Sequence, residues 1–281
     1  MKILNEPLYP RAMINFMLDS LQKPRPDMLR VSELFDAPLV KHLLIKHWDD
    51  LTLDPEQHIP SLMGTAWHVA MEKYADRDHT TEDRLYREIG GVTITGQPDI
   101  VTPDSIEDHK TSPVFKYLIK DFDHWTKQLN TYRWLLQTNP KYLTIWAAFK
   151  DWSKMDWLRD TENYPRRRLM KISLPVWDLS ATEVIIRGRI YAHQSPPVEC
   201  TREEKWQTED TYALKKEGRK SAIRVLDSPE AIQVYATQNN IDLNKKEYSI
   251  EHRKGECKRC QDWCPVSNFC PYWLAAQKEA A

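Results

Sequence analysis

The sequence predicts a mixed α/β fold with a cysteine-bound appendage at its C-terminal end. Three observations predict it. Apolar periodicity is helical up to residue 74, then switches to strand-like runs that flank Gly90-Gly91. An amphipathic helical pattern over about 115–138 leads into an aliphatic and aromatic run over 142–149. Four of the five cysteines crowd into residues 257–270.

The elements follow in order. Residues 11–48 read as helical, with Pro38 where a first-turn proline is tolerated. Residues 64–74 form a further helix in which Gly64, His68 and Glu72 recur every four positions and share a face. Two strands, 85–89 and 92–95, make a hairpin around Gly90-Gly91, and the second runs on through Gly96 to Asp99-Ile100-Val101. Thr102-Pro103-Asp104 turns the chain into a strand over 105–110. The helix at 115–138 stops at Asn139-Pro140, and strands follow at 142–149 and 169–174. Ser180 with Glu183 is a capping-box pattern for a helix to His193, ended by Ser195-Pro196-Pro197. Beyond lie strands at 212–214 and 222–226 about a basic turn at Gly218, then a helix opened by Ser228-Pro229-Glu230. The expected organisation is an N-terminal helical segment (1–60), a core (61–195) and an appendage (196–281).

Composition bounds the function. With 281 residues, 41% of them apolar, 11 Trp and 12 Tyr, the chain can fill one large domain plus an appendage. Only 7 glycines leave little for Gly-rich loops. No stretch approaches the ~20 apolar residues of a membrane span, and residues 1–7 lack a signal-peptide apolar run. The expectation is a soluble cytoplasmic protein with no membrane partner. The net charge of −1 leaves nucleic-acid binding to local clusters. Those are Arg166, Arg167 and Arg168, then Lys215, Lys216, Arg219 and Lys220, then Lys254 with Lys258 and Arg259; the first two are candidate grips on a DNA backbone.

The chemistry is written in Gly96-Gln97-Pro98-Asp99 and Asp108-His109-Lys110. Strand alternation places Asp108 and Lys110 on one face and His109 on the other. Glu107 competes with Asp108 as a ligand; alternation favours Asp108, and a β-bulge would reverse the choice. Carboxylates of this kind suit Mg²⁺ or Mn²⁺. A lysine beside such an ion can orient the attacking water and offset phosphate charge, and His68 can complete the metal shell. The reaction these groups fit is phosphodiester hydrolysis.

Taken in order, the motifs resemble the PD-(D/E)XK nuclease superfamily, in its RecB-type exonuclease branch with phage-encoded and CRISPR-associated relatives. The matching residues are Gly64, His68 and Glu72; Gly96 and Asp99; Asp108 and Lys110; Gln128 and Tyr132, within about residues 64–132. The flanks match only loosely. The resemblance implies a restriction-endonuclease-like core, a central mixed sheet flanked by helices. It implies that His68, Asp99, Asp108 and the His109 carbonyl bind Mg²⁺ or Mn²⁺, and that Lys110 is catalytic. Gln128 and Tyr132 would support the site or touch the DNA, although Tyr132 also reads as a core aromatic. Glu72 would stand behind His68. The implied activity is exonucleolytic, on linear or single-stranded DNA, in recombination, repair or phage DNA processing. Recombination or single-strand-binding proteins would be partners, in a bacterial or phage-infected cell. The alternative is a DNA-binding or assembly module that keeps the fold without catalysis; the intact His68, Asp99, Asp108 and Lys110 argue against it.

Cys257, Cys260, Cys264 and Cys270 are close enough in sequence to share one structural metal or cluster, and Pro271 follows directly. Zinc and a [4Fe–4S] cluster both fit this spacing. RecB-type relatives with a cluster use three C-terminal cysteines and one upstream of the nuclease motifs, but here no cysteine precedes His68. Cys260, Cys264 and Cys270 are therefore the expected ligands, with Cys257 or Cys200 as the fourth.

Overall fold

The structure is a computed structural model that describes residues 2–74 and 84–280. The chain divides into two compact units, Met1–Val198 and Glu199–Ala281. The first begins β1 (Lys2–Ile3), α1 (Arg11–Ser20), β2 (Met28–Arg30), α2 (Val31–Leu34), α3 (Pro38–Lys46), β3 (Thr52–Leu53) and α4 (Pro55–Lys73). It continues through β4 (Leu85–Ile89), β5 (Val92–Gly96), β6 (Ile100–Val101), β7 (Ser105–Ser112), α5 (Val114–Leu118) and α6 (Asp123–Leu136). It closes with β8 (Tyr142–Phe149), α7 (Lys154–Arg159), β9 (Leu169–Leu174) and α8 (Leu179–Gln194).

Two mixed sheets organise this unit, so the fold is mixed α/β. One has the order β2-β5-β4 and the other β6-β7-β8-β9. In the second, β7 and β8 are parallel while β6 and β9 pair antiparallel at the edges. A parallel pair needs a long crossover, and α5 with α6 supplies it. Alternation turns Ile106 of β7 and Leu143, Ile145 and Ala147 of β8 into the core with Trp125, Leu129 and Trp134 of α6. Ile186 and Ile190 of α8 join the same cluster.

Several expectations change, each for a local reason. Residues 11–48 are not one helix. Pro24 and Pro26 forbid helix continuation between α1 and α2, and β2 pairs with β5, so residues 2–60 contribute a strand to the core as well as helices. The strand expected over 92–101 breaks after Gly96 at Gln97-Pro98, leaving β5 and β6 in different sheets. The helix at 115–138 is two helices, with Lys120 between them in the left-handed region (φ 53°). Asp178, not Ser180, caps α8: its side chain accepts from the Ser180 and Ala181 amides. Glu183 instead meets Arg187 and the Trp134 indole N–H. Helix α7, capped by Ser153, has a short sequence signal that periodicity does not reveal.

The second unit holds β10 (Thr211–Lys216), β11 (Arg224–Leu226), α9 (Pro229–Gln238), β12 (Tyr248–Arg253) and α10 (Pro271–Ala280). Its antiparallel sheet has the order β11-β10-β12, and β12 was not expected. Ser228 caps α9 by accepting from the Ala231 amide at 3.1 Å. A bridge between Gln207 and Cys257 fixes the start of the cysteine segment. There the backbones press together: a Cβ on Gly255 would lie 1.9 Å from the Thr208 carbonyl oxygen. No described helix is long and apolar enough to cross a membrane.

Candidate active site

Strand β7 carries the site. Its partner β6 is only two residues long and pairs Ile100 with Glu107 and Val101 with Ile106. Continuing that ladder by one residue would set Asp99 opposite Asp108. Asp99 takes up the edge that β6 leaves: its Oδ2 accepts from the His109 amide at 2.6 Å. His68, projecting from α4, brings Nδ1 to 3.1 Å from the same oxygen. Lys110 Nζ makes a close ion pair with Asp108 Oδ2. The β7–β8 register runs unbroken from Ser105 to Ser112, so alternation holds and Asp108 and Lys110 share a face. Glu107 faces the other way and accepts from the Trp146 indole N–H at 2.6 Å and the Ser105 hydroxyl at 3.1 Å.

Helix α6 backs the site. The Gln128 amide donates to Tyr132 Oη at 2.9 Å and, at a long 3.5 Å, to Asp108 Oδ1. Tyr132 is buried and its ring lies against Gly96: a Cβ there would come within 2.5 Å of the ring and 2.8 Å of a Val31 methyl. Gly-x-x-Asp and Gln-x-x-x-Tyr are thus two sides of one packing contact. The bare glycine admits the tyrosine, the tyrosine holds the glutamine, and the glutamine reaches the carboxylate. Tyr132 and Gln128 act on the site from behind, and neither is placed at the surface. Val31 and Trp146 complete this support. Sequence reading missed both, because their partners lie across strands and carry no spacing signal.

Electrostatics separates the two acids. Burial pushes the Asp108 carboxyl up; the Lys110 ammonium opposes this and Asp99 adds to it. Burial also raises Asp99, but hydrogen bonds from His68 and the His109 amide outweigh it and hold the carboxyl below its usual range. The Asp99 contact raises the His68 imidazole.

Other expected residues fall elsewhere. Glu72 is exposed on α4; it is Asp99, not Glu72, that holds His68. The His109 side chain is half-buried, its Nδ1 makes no hydrogen bond among the described residues, and burial pushes its pKa down. Arg166 and Arg167 are exposed, whereas Arg168 donates to the Lys150 and Trp152 carbonyls. In the second unit Lys215 and Lys216 are engaged by Glu251 and Glu247, which weakens them as phosphate grips; Arg219 and Lys220 are exposed. The Trp152 ring beside Arg168 donates its indole N–H to the Pro165 carbonyl at 2.7 Å.

Among the described residues no group of three or more His, Cys, Asp or Glu side chains is arranged to hold a metal ion. The donor chemistry nevertheless fits a hard divalent cation: one imidazole and two carboxylates, Asp108 being buried with, among the described residues, only the Lys110 ammonium against its Oδ2. The five cysteines are half-buried and form no disulfide. Burial pushes the Cys260 thiol up to about 11, and Cys257, Cys264 and Cys270 add to that. Burial likewise pushes Cys200 up to about 12, with Glu204, Cys270 and Cys260 contributing. Cys260 thus feels Cys257, Cys264 and Cys270, and Cys200 feels Cys260 and Cys270, although among the described residues they do not form a ready-made metal-holding group.

No protein-family model matches the chain, and no curated relative matches it. Among solved structures it is similar to the crystal structure of SSO0001, at 18% identity and a TM-score of 0.46, over 70% of this chain and 87% of that one. It is also similar to a phage related exonuclease from Haemophilus somnus 129PT, at 17% identity and a TM-score of 0.30, over 48% of this chain and 65% of that one. At TM-scores below 0.5 neither likeness bears on the chemistry, which rests on the side chains themselves.

Proposed function

We propose that the chain is a Mg²⁺- or Mn²⁺-dependent deoxyribonuclease of the PD-(D/E)XK type, acting on the ends of linear or single-stranded DNA. One observation supports the reading: His68 meets Asp99 at Oδ2, Lys110 meets Asp108 at Oδ2 with Gln128 behind it, and Asp108 feels the charge of Asp99. His68, Asp99 and Asp108 would hold the cation. A divalent ion bound there supplies Lewis-acid stabilisation of phosphoryl charge and a more acidic water. Lys110 holds a positive charge beside Asp108, where it can orient a water or meet a phosphate oxygen. The His109 amide keeps Asp99 ionised and fixed, and Gln128 fixes the far side of Asp108. In the second unit Cys260, Cys264 and Cys270, with Cys200 or Cys257, would hold zinc or an iron–sulfur cluster that pins the cysteine segment.

The test is cleavage of labelled DNA, single-stranded and duplex, with Mg²⁺ or Mn²⁺, against Asp108→Asn and Lys110→Ala. Activity in the native chain that both variants lose supports the reading. The absence of a ready-made ligand group among the described residues favours a second reading, a DNA-binding module without catalysis. Binding without cleavage of any DNA form would establish that one.

A further inference from the structure

Between α4 and the face of β7 opposite Asp108 and Lys110, the first unit has a cleft of about 620 Å³, within the roughly 300–1,000 Å³ of small-molecule sites. One wall is the outer face of α4, with Met63, Trp67 and Ala70 at helical spacing. The floor is one row across three strands, Thr111, Ala148 and Leu169, which are register partners in β7, β8 and β9. Lys150 and Arg168 close the remaining side.

Three features fix what it fits. The walls are apolar and open, Met63 and Leu169 being 52% and 43% exposed. The Trp67 indole Nε1 is buried and makes no hydrogen bond among the described residues. The Arg168 guanidinium is held in place by the Lys150 and Trp152 carbonyls and lies 5.8 Å from the Trp152 ring centre. Flat apolar walls with an indole suit an aromatic ring, and two cations at the rim suit phosphates. An apolar peptide would have no use for the cations. A paired base in a duplex could not present its faces. The cleft is built on two elements of the site, since Trp67 precedes His68 on α4 and Thr111 follows Lys110 on β7, with alternation turning Thr111 to the opposite face of the strand.

We propose that this cleft takes one unstacked nucleobase of a single-stranded DNA end, with flanking phosphates on Lys150 and Arg168. The proposal rests on the nuclease reading above and deepens it: the enzyme would hold one unpaired nucleotide of the strand on α4 and β7, at a fixed number of nucleotides from the scissile bond.

Two measurements on the full chain decide it. The first is the affinity for a fluorescent oligo(dT), read by anisotropy without divalent metal. Ala70→Trp fills the cleft from an exposed helix position, and Leu169→Glu places an anion at its mouth. Circular dichroism confirms that each variant folds. Both should bind about ten-fold more weakly or worse, the loss expected for one stacked base. Unchanged affinity in both, or no binding by the native chain, overturns the subsite; a protein occupant would give that result. The second is cleavage of oligonucleotides with one abasic position moved stepwise along the strand. One position should slow the native chain about ten-fold and leave Ala70→Trp unaffected; an even response at every position overturns the subsite while sparing the nuclease. Weakened binding in both variants with no cleavage of any DNA keeps the subsite and sinks the nuclease reading.

Discussion

The carboxylate site and the cysteine segment use opposite building methods. Asp108 and Lys110 stand on a strand with eight residues in continuous register, and Asp99 is locked to it by a backbone hydrogen bond. Their positions follow from the ladder and from the packing of α6, with no ligand required. Cys257, Cys260, Cys264 and Cys270 lie on short helical and other turns, tied down by the Gln207–Cys257 bridge, by the Arg259 amide on the Lys205 carbonyl and by a glycine pressed against the Thr208 carbonyl. Only short helical turns run through residues 257–270, with no long strand or helix, so cross-linking thiolates through a metal would add to the folding energy of that stretch. The comparison predicts that a metal ion decides activity in the first unit and stability in the second.

The largest effect should fall on catalysis. Asp108→Asn, or Lys110→Ala, should lower DNA cleavage by about 10³-fold or more while leaving the melting temperature within a few degrees. A loss of activity matched by collapse of the thermal transition would mean that these residues hold the fold rather than the reaction.

The cysteine unit should respond in the reverse sense. Cys260→Ser, or a strong chelator, should remove bound metal and cost several kcal/mol in the transition of residues 199–281. Metal analysis of anaerobically purified protein, paired with its melting curve, reads both quantities. Full stability in a metal-free sample would remove the cluster from the account. The visible spectrum separates iron–sulfur from zinc.

The next effect concerns two glycines that look alike in the sequence. At Gly96 a Cβ would meet the Tyr132 ring at 2.5 Å, so Gly96→Ala should destabilise by about 1–3 kcal/mol and disturb Gln128 and Asp99. At Gly64 the nearest atom to a Cβ is Thr111 Oγ1 at 3.8 Å, an ordinary contact. Gly64→Ala should therefore be neutral, or stabilising by up to about 1 kcal/mol through helix propensity. Urea unfolding of both variants checks this, and equal costs would show that α4 sits tighter on β7 than it does here.

What could be read in the sequence follows the same division. Strand alternation is local, so the choice of Asp108 over Glu107 as the partner of Lys110 was available from four residues. The hairpin at Gly90-Gly91, the strands β8 and β9 and the Ser228 cap also follow from local rules. The break of β5 at Pro98 and the division of the 115–138 helix at Lys120 did not, because apolar periodicity carries on across both. Partners were the hardest to read. That His68 meets Asp99 rather than Glu72, and that Lys215 and Lys216 are engaged by Glu251 and Glu247, depends on contacts across elements that no spacing encodes.

The smallest effect sharpens the comparison by using protons in place of metal. His193 of α8 sits against the Leu34 carbonyl at 3.2 Å, and burial pushes its pKa down from 6.5 to about 4. The folded chain therefore keeps this imidazole neutral where the unfolded chain protonates it. Its contribution is full above pH 6.5 and is lost as the pH falls from there toward 4. The loss should be about 1–2 kcal/mol, allowing for partial exposure of the ring. Asp99, held below its usual range, adds a loss of the same sign at lower pH. Glutamine in place of His193 can still donate to Leu34 but cannot titrate. His193→Gln should match the native chain at pH 7 and lose less stability between pH 6.5 and 4.5, measured by urea unfolding with chelator present. If the two chains fall in parallel, the acid sensitivity of the first unit lies in its carboxylates, and its core is held independently of this half-buried imidazole.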